Sequence, residues 1–244
     1  QEDLLLQGDA TVVATTRKIR LTNLDSSGTP LIDRVGRVLY SSPIHLWGTD
    51  PSRLLSFETS FTFTITHYPT PAAGIAFFIA PPDTTPGVSG GLMGLFNSTS
   101  AAQDPSRNRI VFVEFDTYVN GAWDPNYHHI GINVNQIRSS ADTPWETISG
   151  AVVNVTISYD SESKKLSVSS FYPCYPCTHQ GPYTVSLDVD LSEVRLPEWV
   201  RIGISGTNGA NRANYEILSW SFKSTLKSNA VNEDKENMRI AQYV

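Results

Sequence analysis

The run Val113-Glu114-Phe115-Asp116-Thr117-Tyr118-Val119-Asn120-Gly121-Ala122-Trp123-Asp124-Pro125-Asn126-Tyr127-His128-His129-Ile130-Gly131 decides how this chain is to be read. Glu114 and Asp116 alternate with Val113, Phe115 and Thr117, so on a β-strand both carboxylates face the same side. A turn-rich segment follows and brings Asp124 and His129 back toward them. Oxygen ligands suit a hard ion such as Ca2+, and carboxylates with one imidazole suit a first-row metal such as Mn2+. Two ions sharing Asp116 and Asp124 would account for the density of acids. A solvated acidic loop is the plain alternative, but here the acids lie between apolar, strand-like runs.

Outward from this run, period-2 patterning dominates. Phe57 to Thr66 alternates, cleanly so from Phe61, and Gly74-Ile75-Ala76-Phe77-Phe78-Ile79-Ala80 is a continuous apolar strand closed by Pro81-Pro82. Ile110 to Thr117 and Ile130 to Ile137 read as two more. Val152 to Tyr159 and Leu166 to Phe171 form a hairpin around a polar turn. Tyr183 to Val189, Val200 to Ser205 and Tyr215 to Phe222 complete the set. No window offers a long amphipathic helix. The expectation is an all-β sandwich of antiparallel sheets, one domain over 1–227, with a polar tail over 228–244. In the tail, Met238-Arg239-Ile240-Ala241 reads either as a short docking element or, more plainly, as a frayed end.

Charged residues are 17% of the chain and the net charge is −6, with no basic patch among aromatics, so nucleic acid is not an expected partner. No apolar run reaches the ~20 residues of a membrane span. No leader-like segment opens the sequence, which reads as a mature or trimmed chain. Asn97-Ser98-Thr99 and Asn154-Val155-Thr156 are N-glycosylation sequons, the first the better candidate because it opens a Ser/Ala-rich loop, and Cys174-Tyr175-Pro176-Cys177 lies in a Tyr/Pro-rich connection where a local disulfide is expected. His128 points away from His129 on a strand, while His45, His67 and His179 have no carboxylate company. Trp199 and Trp220 read as core aromatics, and Trp123 as a shield for the acidic loop.

These residues carry a resemblance. The Glu-Phe-Asp-Thr-Tyr…Asn…Trp-Asp-Pro…His-Ile-Gly-Ile run resembles the legume (L-type) seed lectins. So do Leu5-Leu6-Gln7-Gly8-Asp9-Ala10, Val35-Gly36-Arg37-Val38-Leu39-Tyr40, Gly74 to Pro81, Leu196-Pro197-Glu198-Trp199-Val200 and Leu218-Ser219-Trp220-Ser221-Phe222. The resemblance implies a concanavalin-like jelly-roll sandwich that binds carbohydrate without catalysis. It implies Mn2+ on Glu114, Asp116, Asp124 and His129, and Ca2+ on Asp116, the Tyr118 carbonyl, Asn120 and Asp124. Asn120 would then donate its amide to a sugar hydroxyl, Tyr118 would offer its ring, and Gly91 a backbone N–H. Thr207-Asn208-Gly209-Ala210-Asn211-Arg212 matches the specificity loop of mannose/glucose-type members, with Ala210 and Asn211 in contact. Glycans or glycoproteins are the implied partners, with dimers or tetramers, in the secretory pathway, seed vacuole or extracellular space.

There are departures. Ala73 stands where the family usually has an Asp that accepts hydrogen bonds from two sugar hydroxyls, which predicts weakened monosaccharide binding. The family's cis peptide before that Asp loses a holding contact, so Ala72–Ala73 is expected to be trans, or its loop mobile. Asn133 and Gln136 stand where Asp and Ser are more usual, the Ser commonly positioning a metal-bound water. A strand that normally precedes the equivalent of Gln1 is not part of this sequence, and the usual side-by-side dimer depends on it. Two other functions compete: a sugar-dead defence or storage protein that keeps the metals, and a glycoside hydrolase using Glu114 and Asp116. The hydrolase reading fails because both acids are claimed by metal and no third strand acid follows at the required spacing.

Overall fold

The computed structural model describes residues 3–47, 55–173, 181–226 and 238–239. Its strands are β1 (Leu4–Gly8), β2 (Thr11–Val12), β3 (Ile19–Arg20), β4 (Val35–Tyr40), β5 (Ile44–His45), β6 (Leu55–Tyr68), β7 (Ala73–Ala80) and β8 (Val111–Asp116). They continue as β9 (His129–Val134), β10 (Ala141–Pro144), β11 (Val152–Asp160), β12 (Lys165–Phe171), β13 (Tyr183–Asp188), β14 (Trp199–Asn208), β15 (Arg212–Leu226) and β16 (Met238–Arg239). Among the described residues they form two antiparallel sheets. One runs β1-β4-β14-β7-β8-β9-β10 with β5 joined to β14; the other runs β13-β12-β11-β6-β15-β3-β2 with β16 against β15.

The expected sandwich is therefore present, and alternation explains where the acids go. Phe115 is fully buried between the sheets, edge-on to Phe63 at 5.2 Å and to Trp145 at 5.4 Å between ring centroids. Such edge-to-face pairs add about 0.5–1.5 kcal/mol each beyond the area they bury. With Phe115 and Val113 fixed inward, the pleat turns Glu114 and Asp116 to the outer face of the first sheet.

That outer face is itself covered. β7 and β8 are buried at every residue, as a continuous apolar run demands when both faces are packed. Ala76, Phe78 and Phe112 meet Leu92, Met93 and Phe96 of the long connection between β7 and β8. Arg37 fastens this connection. Its guanidinium lies 4.4 Å from the Phe78 ring centroid and donates to the Thr85 carbonyl at 2.5 Å and to Thr84 Oγ1 at 3.0 Å. Burial pushes its pKa down to about 10, which leaves it charged at neutral pH.

Several expectations shift at element ends. β9 stops at Val134 rather than Ile137, because Asn135 takes φ 57° and its side chain bonds Ile110 N and the Val194 carbonyl instead. β10 is polar and ends in Pro144, a composition that only an edge strand tolerates and that no pattern flagged. Trp199 is 47% exposed, not a core aromatic: Val200 takes the inward position, and Trp199 stacks on His45 at 4.4 Å. His45 does have a carboxylate, with Glu198 Oε1 2.7 Å from its Nε2. Met238 and Arg239 pair with Ser224 and Lys223, so of the two readings of this part of the tail it is the short docking element that is found, and not the frayed end. Cys174 and Cys177 lie outside the described residues.

Candidate functional site

The strand register assembles the acidic centre. β8 and β9 pair Asp116 with His129 and Glu114 with Gly131, so two carboxylates and an imidazole share one buried patch. One potential ligand atom from each of Glu114, Asp116 and His129 lies within 4.8 Å of the others. Asp124 stands beside this trio rather than in it. Its Oδ2 accepts from Asn120 N at 2.6 Å, and the Asn120 carbonyl accepts from Trp123 N and Asp124 N, which curls the loop. Arg138 pins the same loop by donating to the Ala122 carbonyl at 2.9 Å.

Electrostatically, negative charge outweighs positive charge in the patch. Burial, then the charges of Glu114 and Asp124, push the Asp116 carboxyl well above the usual range. Burial and the Glu114 charge push Asp124 up to about 7, against the relief of the Asn120 N–H. Burial disfavours charge on His129, but its hydrogen bond to Glu114 and that group's charge raise its pKa on balance. Glu114 Oε2, Asp116 Oδ2 and Asn120 Oδ1 are buried and have no hydrogen-bond partner among the described residues. Buried oxygens of this kind cost about 1–3 kcal/mol each when unpaired. A hard cation fits them.

These shifts set a pH dependence for the metal-free protein. Asp124 moves from 3.8 to about 7 on folding, so the fold holds more protons than the unfolded chain across that window, and stability falls as pH rises through it. The raised His129 acts in the same sense: its contribution is present below 6.5 and is lost as pH rises through its folded value. Thermal melts in chelator are therefore expected to give a lower midpoint at pH 7.5 than at pH 5. Ca2+ and Mn2+ are expected to reverse that order.

Sequence reasoning missed Ser139. The hydroxyl expected near position 136 comes three residues later, after the Asn135 turn: Ser139 Oγ donates to Glu114 Oε1 at 2.8 Å and lies 3.3 Å from His129 Nε2. Asn133 Nδ2 donates to the same Glu114 oxygen at 2.9 Å. Gly131 makes room, since a Cβ there would sit 2.2 Å from Ser139 Oγ. With Ser139, Asn133 and His129 all on Oε1, Oε2 is left as the free face of Glu114. Ser139→Ala is expected to weaken metal binding roughly 10- to 100-fold, as loss of an orienting partner usually does, read by Mn2+ titration with electron paramagnetic resonance.

Ala73, Gly91 and the loop after Asn208 lie beside this centre. Ala73 pairs with Asn208 at the end of β14, and the Ala73 carbonyl accepts from Thr117 N and Oγ1, both at 2.8 Å. Ala72–Ala73 is cis, contrary to expectation; the two Thr117 donors and burial of both alanines hold the segment without an acid. Gly91 lies in a short 3-10 turn, Gly90–Leu92, where a Cβ would fall 2.2 Å from Asn120 Oδ1. That turn abuts the second loop, with a Cβ on Gly209 meeting Gly90 Cα at 3.4 Å. Thr207 Oγ1 donates to the Gly90 carbonyl, and Ser205 Oγ to the Met93 carbonyl. Tyr118 is 42% exposed, and Ala210 and Asn211 are exposed at the loop tip. Trp123 packs against the apolar cluster under the connection between β7 and β8. The two sequons sit elsewhere: Asn97 in an exposed turn before the short helix α1 (Thr99–Ala102), and Asn154 on β11.

Known proteins resemble this chain in sequence and in fold. Agglutinin-2 of Cladrastis kentukea is 50% identical over 248 residues, spanning 100% of this chain and 83% of the relative. The mannose/glucose-specific lectin of Centrolobium tomentosum is 42% identical over 239 residues, spanning 96% and 94%. The structure of the lectin from Bauhinia forficata in complex with GalNAc superposes with a TM-score of 0.84 at 40% identity, covering 93% of this chain and 94% of that one. Residues 1–238 match the family model described as the legume lectin domain. This chain belongs to the legume lectin domain family, whose members bind carbohydrate and do not catalyse.

Proposed function

We propose that this domain is a Ca2+- and Mn2+-dependent lectin of the mannose/glucose type whose monosaccharide affinity is weakened by Ala73. The observation that carries the reading is Gly91 lying against the buried Asn120 Oδ1, which has no partner among the described residues, with the loop at Gly209 abutting Gly90 beside it. Glu114, Asp116, Asp124 and His129 would hold Mn2+, and Asp116, the Tyr118 carbonyl, Asn120 and Asp124 would hold Ca2+. When bound, the ions supply the positive charge that this carboxylate cluster lacks. Asn120, held through Oδ1, would present its NH2 to a sugar hydroxyl. Gly91 would donate its N–H, Tyr118 would cover an apolar sugar face, and Ala210 and Asn211 would border the opening.

Relatives of similar identity carry names with different sugars, mannose or glucose in one and GalNAc in another, so the family alone leaves the ligand open. The short loop at Gly209–Asn211 supports the mannose/glucose reading. A second reading, a sugar-dead protein that keeps its metals, is favoured by Ala73. Glycans or glycoproteins on secretory, vacuolar or extracellular routes are the proposed partners, engaged by a dimer or tetramer whose multivalency offsets weak single sites. The test is a glycan array in Ca2+ and Mn2+, repeated in chelator. Metal-dependent signal on mannose-terminated glycans is expected. A silent array from protein with both metals bound would leave the sugar-dead reading, and signal confined to galactose-type sugars would overturn the assigned specificity.

A further inference from the structure

We propose that Asn154 carries an N-linked glycan whose first N-acetylglucosamine rests on the ring of Phe171. The proposal stands apart from the sugar pocket and from what that pocket binds.

Three observations carry it. First, Asn154-Val155-Thr156 is a sequon set on a central strand, where β11 lies between β6 and β12. Val153 and Val155 belong to the core, so the pleat turns Asn154 and Thr156 outward. Second, Asn154 stands directly opposite Phe171 of β12, and directly opposed side chains start about 5 Å apart at Cβ. Phe171 is 42% exposed, and the groove it shares with Asn154, about 320 Å³, is otherwise lined largely by small hydroxyl side chains such as Thr62 and Ser219. Third, the register makes a row, Phe171–Asn154–Thr62–Ser219, across four strands. A pyranose attached to Asn154 can thus lay its C–H face on one aromatic ring while its hydroxyls meet Ser and Thr. Exposed aromatic rings favour such contacts because their faces are apolar and electron-rich. The ring next to Asn97 in sequence, Phe96, is by contrast 4% exposed and turned into the protein.

The chemistry is that of secretory glycosylation. Asn154 Nδ2 attacks C1 of the first N-acetylglucosamine of a lipid-diphosphate-linked oligosaccharide. The N–C1 bond forms, the C1–O bond to the diphosphate breaks, and the lipid diphosphate departs with the electron pair. The displaced amide proton passes to the host transferase, which also supplies the donor.

The test uses the full chain in an Asn97→Gln background, secreted from a eukaryotic host, beside the same sequence made in bacteria. Enzymatic release of glycans in 18O water followed by peptide mass spectrometry reads occupancy, and Asn154 is expected to be modified. The glycoprotein is expected to melt about 2–4 °C above the sugar-free chain, the size of one aromatic contact in a protein this large. Trimming the glycan to its single innermost sugar should keep that shift. Phe171→Ala should abolish it, and Phe171→Trp should restore it. An unmodified Asn154 would overturn the proposal. So would a shift that survives Phe171→Ala, or one that disappears when only the outer sugars are trimmed.

Discussion

Chelated protein given millimolar Ca2+ and Mn2+ is expected to gain roughly 8–16 °C in its unfolding midpoint. Ligand at about a thousand times its dissociation constant stabilises the folded state by about 4 kcal/mol, and a chain of this size gains about 2–4 °C per kcal/mol. The physical source is visible in the site. Glu114 and Asp116 are at most 1% exposed, and among the described residues they form no ion pair with a Lys or Arg; His129 Nε2 lies 3.3 Å from Glu114 Oε1. Without a cation the fold therefore carries a buried, mutually repulsive cluster: burial first, and the neighbouring carboxylates after it, push Asp116 and Asp124 up. A Glu114→Gln, Asp116→Asn double variant sharpens the claim. It should melt at one temperature with or without metal, and above the metal-free native chain, since removing buried unpaired charge is favourable. Native protein whose midpoint ignores added metal would sink the metal assignment.

Ala73→Asp should raise mannose affinity by about 30- to 150-fold. Each charge-assisted hydrogen bond contributes roughly 1.5–3 kcal/mol, and the carboxylate is expected to accept two. Desolvating the new acid takes back part of this, as does its closeness to Asp116, which pairs with the adjacent Gly74. The net of about 2–3 kcal/mol gives the quoted factor. The backbone is already in place, since Thr117 holds the Ala73 carbonyl whatever the side chain. Calorimetric titration of native and variant protein, both loaded with metal, is the measurement. Equal affinities would mean that Ala73 is not what weakens the site.

Much of this was legible in the sequence because a sheet with one packed face must alternate. Phe57 to Thr66 declared β6, and the doubly packed β7 declared itself by having no polar residue. Glu114 and Asp116 were legible for the same reason, their neighbours being committed to the core. What escaped depended on geometry that local pattern does not carry. Ser139 reaches Glu114 only because the Asn135 turn folds the chain back, and no spacing rule encodes that turn. The cis peptide at Ala73 is not legible from the side chain at 73, because the restraint on its carbonyl comes from Thr117 across the sheet. β10 was invisible because an edge strand has little burial to pattern it.

The attachment of the pocket loops to β14 bears on how such a protein can change. Thr207, Ser205 and Asn208 grip backbone carbonyls at Gly90, Met93 and Leu31, while Ala213 N returns to the Asn208 side chain. None of these bonds uses the side chain of residue 210 or 211. The mount and the tip are separate parts: the tip can be rewritten, and a different sugar tried, without loosening what holds it. A lineage built this way can diversify its ligands at almost no cost in stability.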